Sequence, residues 1–286
     1  MWLYLALGSA FLLGIYDVAK NKAVGRNSVL SVLLVATAIS TLLLSPWLVL
    51  HPGNLNTHLA LALKGVIVTV AWISGMVGLK YLPITTASMI KASRPFFVVL
   101  LSIILFGERL NWWQWSGVAL ALLSLTLLSV GGKKSDGGEM NTKGLVAMGI
   151  SVLAGVVSAL YDKHIMSGLH LEPLMVQSWS NFYITLALLL CILVRRLVGI
   201  RDSQTFHWDW TLVLIALLIT GADALYFFAL RQDGALLSVI SLIRRCAVIV
   251  TFCIGAVFFK EKHLKAKAVD MLILVAGMLC LLMGSR

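Results

Sequence analysis

Residues 84–106 read ITTASMIKASRPFFVVLLSIILF. An α-helix rises about 1.5 Å per residue, so a run of this length crosses the ~30 Å hydrocarbon core of a bilayer. Lys91 and Arg94 nevertheless lie inside it, and Pro95 follows directly. Lys91 and Arg94 are three residues apart and share a helix face, which Ser88 extends. A second apolar run, 235–259, has the same plan. Its SVISLIR at 238–244 parallels SMIKASR at 88–94, and Arg245 follows Arg244. Ser241 and Arg245 are four apart and share a face, which Ser238 extends.

Working outward, eight more runs are long and apolar enough to span. With the first two, the ten have approximate limits 2–22, 28–50, 59–80, 84–106, 112–130, 144–167, 172–194, 209–230, 235–259 and 264–284. Composition agrees: the 286 residues are 60% hydrophobic and 12% charged. A soluble chain carries about 25% charged residues, so lipid is the solvent this sequence is built for. The formal charge of +11 is a property of short loops and carries no expectation of nucleic acid. The first run lacks a basic leader and an A-x-A-like site, so it reads as a spanning helix, not a cleaved signal.

The ten runs divide into two units. Residues 1–130 hold five, 131–143 (GGKKSDGGEMNTK) form a Gly-rich polar linker, and 144–286 hold the other five. The first run of each unit carries a Tyr-Asp pair, LGIYDVAK at 13–20 and SALYDKHI at 158–165. The fourth runs match as above, and each ends at a glutamate, in FGERL at 106–110 and FKEKHL at 259–264. An internal repeat follows. Because five is odd, the second unit must be inverted relative to the first. The expected fold is therefore an all-α integral membrane protein of ten transmembrane helices in two inverted five-helix repeats. Transporters of this architecture bind their substrate between the repeats.

Orientation follows from basic residues near predicted ends. Fourteen follow odd-numbered runs, against Lys64, Arg109, Lys163, Arg231 and Arg286 on the opposite side. The positive-inside rule then puts both termini outside the cytoplasm.

Ionisable groups within the runs are the candidate site. The basic ones are Lys91, Arg94, Arg244 and Arg245, and the acidic ones are Asp17, Asp162 and Asp223. A central charge costs about 2.5–3.5 kcal/mol, so seven facing lipid would cost on the order of 20 kcal/mol. Folding stabilities are ~5–15 kcal/mol, so these groups must face each other or water. Buried ion pairs alone give little reason to keep them, since apolar replacements are often as stable. Arginine suits a carboxylate or phosphate partner. Lys91, Arg94, Arg244, Arg245, Ser88, Ser241, Trp72 and Tyr226 are the candidate substrate-binding residues. Tyr16, Asp17, Tyr161, Asp162 and Asp223 are the candidates for gating or for carrying a coupling proton, because desolvation favours the neutral form of a carboxyl group.

Other signals are structural. Trp112, Trp113 and Trp115 read as an interfacial belt, and Gly75 and Gly78 as points of close helix packing. Pro95 should kink its helix. Glu108, Glu261 and Asp270 sit at helix ends and suit capping. Cys191, Cys246, Cys253 and Cys280 lie in apolar runs without a CxxC pair and read as core residues. The six histidines show no metal-ligand spacing, and no nucleophile motif or phosphate loop occurs. The expectation is no enzyme activity, no metal and no cofactor.

Arg94-Pro95, the Gly107-Glu108-Arg109-Leu110 motif with Glu108 thirteen residues after the proline, and the repeated five-helix unit carry a resemblance. Over almost the whole chain the sequence resembles the drug/metabolite transporter superfamily, in its ten-helix EamA-type branch. The resemblance implies a secondary transporter with a cavity lined by helices 1, 3, 4, 6, 8 and 9, moving metabolites such as amino acids, sugar phosphates or drugs. Two features depart from it. Arg245-Cys246 stands where a proline is usual, which implies a straighter ninth helix. Family precedent also places both termini in the cytoplasm, against the charge count; we follow the count.

The expected function is transport of a small polar metabolite, anionic or zwitterionic, across the inner (plasma) membrane by alternating access. The expected partners are that substrate and the lipid bilayer, with a homodimer left open and no nucleic acid. Alternatives are a flippase for lipid-linked headgroups, a non-transporting receptor or assembly protein whose internal charges pair off, and an intramembrane enzyme.

Overall fold

A computed structural model describes residues 1–24, 27–82, 90–91, 93–131, 141–199, 206–247, 249–251, 254 and 264–284. Among the described residues the regular structure is helical throughout. The helices are α1 (Trp2–Val24), α2 (Val29–Leu43), α3 (Ser45–Leu50), α4 (Leu55–Tyr81), α5 (Arg94–Phe106), α6 (Trp112–Gly131), α7 (Thr142–Lys163), α8 (Pro173–Leu197), α9 (Trp210–Arg231), α10 (Leu237–Arg245) and α11 (Leu264–Gly284). Among the described residues, five helical stretches are long and apolar enough to cross a membrane: 2–20, 55–78, 142–168, 173–197 and 210–231. Three shorter apolar helices cover 29–43, 94–106 and 272–284.

Proline and capping account for the shorter pieces. The second run divides into α2 and α3 at Leu44, with Pro46 in the first turn of α3, where its missing N–H costs nothing. α5 starts at Arg94 with Pro95 in its first turn, so the expected kink is a fresh helix start. Gly107 closes α5 in the left-handed conformation at φ 62°. In the ninth run the regular helix has a one-residue turn at Cys246, and the described residues 247 and 249–251 are helical again. α10 ends at Arg245, where the Cys246 N–H bonds to the carbonyl of Ile243, three residues back, a tighter turn than the α-helix. α7 likewise passes into a π-turn, His164–Gly168.

The principal packing pairs are α1 with α9, α4 with α7, and α6 with α11. Exchanging the first, third, fourth and fifth runs with the sixth, eighth, ninth and tenth turns this set into itself. Hydroxyls tie two of the pairs in matching fashion. Ser9 donates to the Ala222 carbonyl at 2.7 Å between α1 and α9, and Ser151 to the Ala71 carbonyl at 2.6 Å between α7 and α4. Glycine permits the approach: a Cβ at Gly75 would lie 2.7 Å from Ser151 Oγ, and one at Gly78 2.7 Å from Met148 Cε.

α10 is the hub. Leu237, Ser238, Val239, Ile240, Leu242 and Ile243 are all fully buried. Leucines, valines and tryptophans instead cover the outside, including Trp112, Trp113 and Trp115 at the start of α6. Such an apolar exterior needs hydrocarbon around it.

The contact of α6 with α11 is testable. A Cβ on Gly117 would lie 2.7 Å from the Gly277 carbonyl oxygen. Gly117→Val is expected to cost about 1–3 kcal/mol, the usual penalty of overpacking. Thermal unfolding in detergent should show a lower Tm for Gly117→Val but not for Ala119→Val, whose side chain is exposed.

Candidate functional site

Charged side chains from α1, α4, α5, α7, α9 and α10, together with Lys91 just before α5, gather in one region of the bundle, with Asp17 and Lys91 on its exposed side. α7 contributes Asp162, which forms a buried salt bridge with Lys64 of α4. Tyr226 of α9 donates its hydroxyl to the other Asp162 oxygen at 3.3 Å. The Lys64 ammonium also lies 4.7 Å from the Phe227 ring centroid. Lys64 is thus only 5% exposed. Charge counting treats it as a loop residue; it sits instead in the third turn of α4 with its charge in the protein interior.

The second ion pair is open. Arg244 of α10 binds Asp223 of α9 at 2.7 Å, with side-chain exposures of 19% and 32%. The same guanidinium lies 4.1 Å above the Tyr226 ring. Tyr226 therefore touches both pairs, its hydroxyl on Asp162 and its face under Arg244, a cation–π contact strengthened away from water.

Arg94 approaches from the other side. Its Nη2 donates to the Gly155 carbonyl at 2.6 Å. A Cβ at Gly155 would sit 2.8 Å from Arg94 Cζ, so only glycine leaves room for the planar group. Arg94 is close enough to Tyr226, Arg244 and Asp162 to interact electrostatically. Arg245 likewise interacts with Arg94, Arg244 and Asp17. Lys91 and Asp17 are exposed, and Lys91 is repelled by Lys20 and Arg245.

These positions gather most of the residues singled out in the sequence: Lys91, Arg94, Arg244, Arg245, Tyr226, Asp17, Asp162 and Asp223. Tyr16 borders the same region beneath Lys20, whose ammonium lies 5.4 Å from the ring centroid. Tyr161 donates to the Ala60 carbonyl at 3.2 Å and stacks on His164. Ser241 is half-buried on α10. Trp72 is set apart, packed with Leu30, Leu33, Ile184 and Leu188. Ser88 lies outside the described residues, as do Glu261, Cys253 and the side chain of Asp270. Lys64 and Gly155 were missed. The signal for Lys64 was its place six residues inside a predicted span; nothing in the sequence marks Gly155.

Glu108 caps a helix, but one in the other half of the chain. Its carboxylate accepts from the Leu237 N–H at 2.6 Å, from the Ser238 N–H at 3.2 Å and from the Ser238 hydroxyl. These are orphan donors at the start of α10, where negative charge is also favoured. Lys163 donates to the nearby Ala235 carbonyl. The end of α5 thereby holds the start of the hub helix.

Residues 1–130 match the EamA-like transporter family. A solved structure, titled only as the crystal structure of a protein, has 14% identity, covers 100% of this chain and 98% of its own, and superposes with a TM-score of 0.76. The family match covers 130 of the 286 residues, and the likeness to the solved structure is one of fold. No curated protein matches the chain. The family match and the long apolar helices support a multi-pass membrane protein, with the apolar exterior turned to lipid. The family match supports a membrane transporter. Among the described residues no group of His, Cys, Asp and Glu is arranged to hold a metal.

Breaking a buried pair strands a charge and costs about 3–5 kcal/mol, whereas replacing both partners with apolar groups is often neutral. Lys64→Met and Asp162→Leu should each lower the Tm markedly. The Lys64→Met/Asp162→Leu double variant should recover most of the loss. Glu108→Ala leaves the buried donors of α10 unpaired and should cost about 1–3 kcal/mol by the same measurement.

Proposed function

We propose that this protein is a secondary transporter of a small anionic or zwitterionic metabolite, working by alternating access across the inner (plasma) membrane. We take its architecture as ten spans in two inverted five-helix repeats. The exchange symmetry of the helix pairs and the matching Ser9 and Ser151 hydroxyl ties support that arrangement.

One observation carries the functional reading. Guanidinium groups from the two repeat-related helices, Arg94 and Arg244, converge on Tyr226 in the bundle interior, with Arg245 beside them. No structural task requires several cations there, since apolar packing would stabilise the helices as well. A bound anion gives the cluster a purpose.

The two Tyr-Asp pairs favour alternating access. Asp162 is buried behind Lys64 and Tyr226, while Asp17, its repeat counterpart, is exposed. One side of the site is closed by ionic contacts while the other admits solvent, as a carrier paused in one state requires. Asp223 is the coupling carboxyl in this reading. Asp162 is neutralised by Lys64, whereas Asp223 is accessible and holds Arg244. Proton binding to Asp223 releases that guanidinium for substrate.

Proteoliposome counterflow with a panel of radiolabelled amino acids, carboxylates and phosphate esters tests the function. The Arg94→Gln/Arg244→Gln double variant should lose at least about tenfold in uptake, the worth of one charge-assisted contact. Undiminished flux would remove the site assignment. Asp223→Asn should keep counterflow but lose uptake driven by an imposed pH gradient. Equal gradient-driven uptake in wild type and Asp223→Asn would remove it as the coupling group.

A further inference from the structure

We infer that the site is built for a small oxyanion carrying two negative charges rather than for a zwitterion or monoanion, an inference that rests on the transport reading above.

The argument is one of charge balance. Lys64 and Asp162 cancel within their own contact. Around the remaining site the described residues supply Lys20, Lys91, Arg94, Arg244 and Arg245 against Asp17 and Asp223, five cations to two carboxylates, an excess of three. Asp223 is engaged by Arg244. Among the described residues Lys91, Arg94 and Arg245 have no carboxylate within 4 Å. Like charges repel strongly where water is scarce, so an excess of three held at this spacing favours a ligand that brings more than one negative charge. A zwitterion brings none, and its ammonium would have to enter beside five cations.

The donors are also built into the fold. Arg94 lies flat against Gly155, whose missing side chain makes its space. One turn earlier on α7, Ser151 approaches Gly75, and the Lys91 side chain passes within 3.9 Å of where a Cβ on Gly75 would stand. Lys91 and Arg94, three residues apart, thus follow Ser151 and Gly155, four apart, along α7. Bare backbone on α4 and α7 lets both cations reach inward, giving a row of donors that continues to Arg244 and Arg245. A row suits an anion with several acceptor oxygens, which is what a phosphate monoester or a dicarboxylate presents.

Matched probes separate charge from shape. The purified full-length protein is titrated with methyl phosphate against methyl sulfate, and with succinate against succinamate, and its thermal midpoint is followed. In at least one pair the divalent member should stabilise at concentrations at least about tenfold lower, and the responding pair identifies the oxyanion as phosphate or dicarboxylate. Lys91→Gln should narrow that ratio, and Gly155→Ala, which pushes the Arg94 guanidinium aside, should narrow it further. The methyl phosphate response should also weaken from pH 7.5 to pH 5.5, because phosphate esters lose their second charge near pH 6. Equal response within both pairs, preference for the monovalent members, or no response to any probe overturns the inference. Should amino acids or other monovalent solutes stabilise and exchange instead, the transport reading stands and only the divalent preference falls. Absence of counterflow for every solute class removes the transport reading itself.

Discussion

A guanidinium inside a membrane protein must be paired, stacked or wet, and Arg244 is all three. It holds Asp223, lies over the ring of Tyr226 and keeps a fifth of its side chain accessible. Tyr226 in turn is fixed by Asp162, which is fixed by Lys64. Four helices, α4, α7, α9 and α10, are tied together through this sequence of contacts. Removing Lys64 or Asp162 leaves a desolvated charge, so this buried pair constrains how α4 and α7 sit alongside their apolar packing. The hub position of α10 follows. It is buried on almost every face, and the Glu108 carboxylate satisfies its first N–H groups.

The two halves are alike in plan and unlike in state. Each begins with a helix bearing Tyr-Asp, packed on the third long helix of the opposite half. One aspartate is locked by a lysine and a tyrosine; the other is exposed among cations. A lysine that serves only one half makes the two closures chemically different. In the proposed transport cycle, the side sealed by Lys64 and Asp162 would open only if that pair moved together or were solvated. The side bearing Asp17, Lys20 and Lys91 would close only if its like charges were compensated, and a bound anion would supply that compensation.

How much of this was legible in the sequence depends on what fixes each feature. The apolar runs and the charges within them were readable because the cost of charge in hydrocarbon is large and local. Helix limits agreed closely for α1, α8 and α9. The tight turn after Arg245 was not readable, because the sequence has no proline or glycine there. Lys64 was misplaced because a lysine a few residues inside a span usually snorkels to the interface. Here a carboxylate and an aromatic ring draw it inward instead. Glu108 was read as a cap from its position, but its client helix lies 129 residues away in sequence, a fact only tertiary structure carries. Gly155 had no signal, since its role is defined by what Arg94 needs and not by its own neighbours.

The interruptions next to the arginines deserve a common physical account. α5 begins at Arg94, and α10 ends at Arg245. A broken helix exposes backbone donors and acceptors, which is tolerable in a membrane protein only where they line a polar interior. Arg94 is already engaged with one backbone carbonyl, that of Gly155. In the proposed reading, the groups that would hold an anion include Arg94 and Arg245, which stand at the first and last residues of their helices.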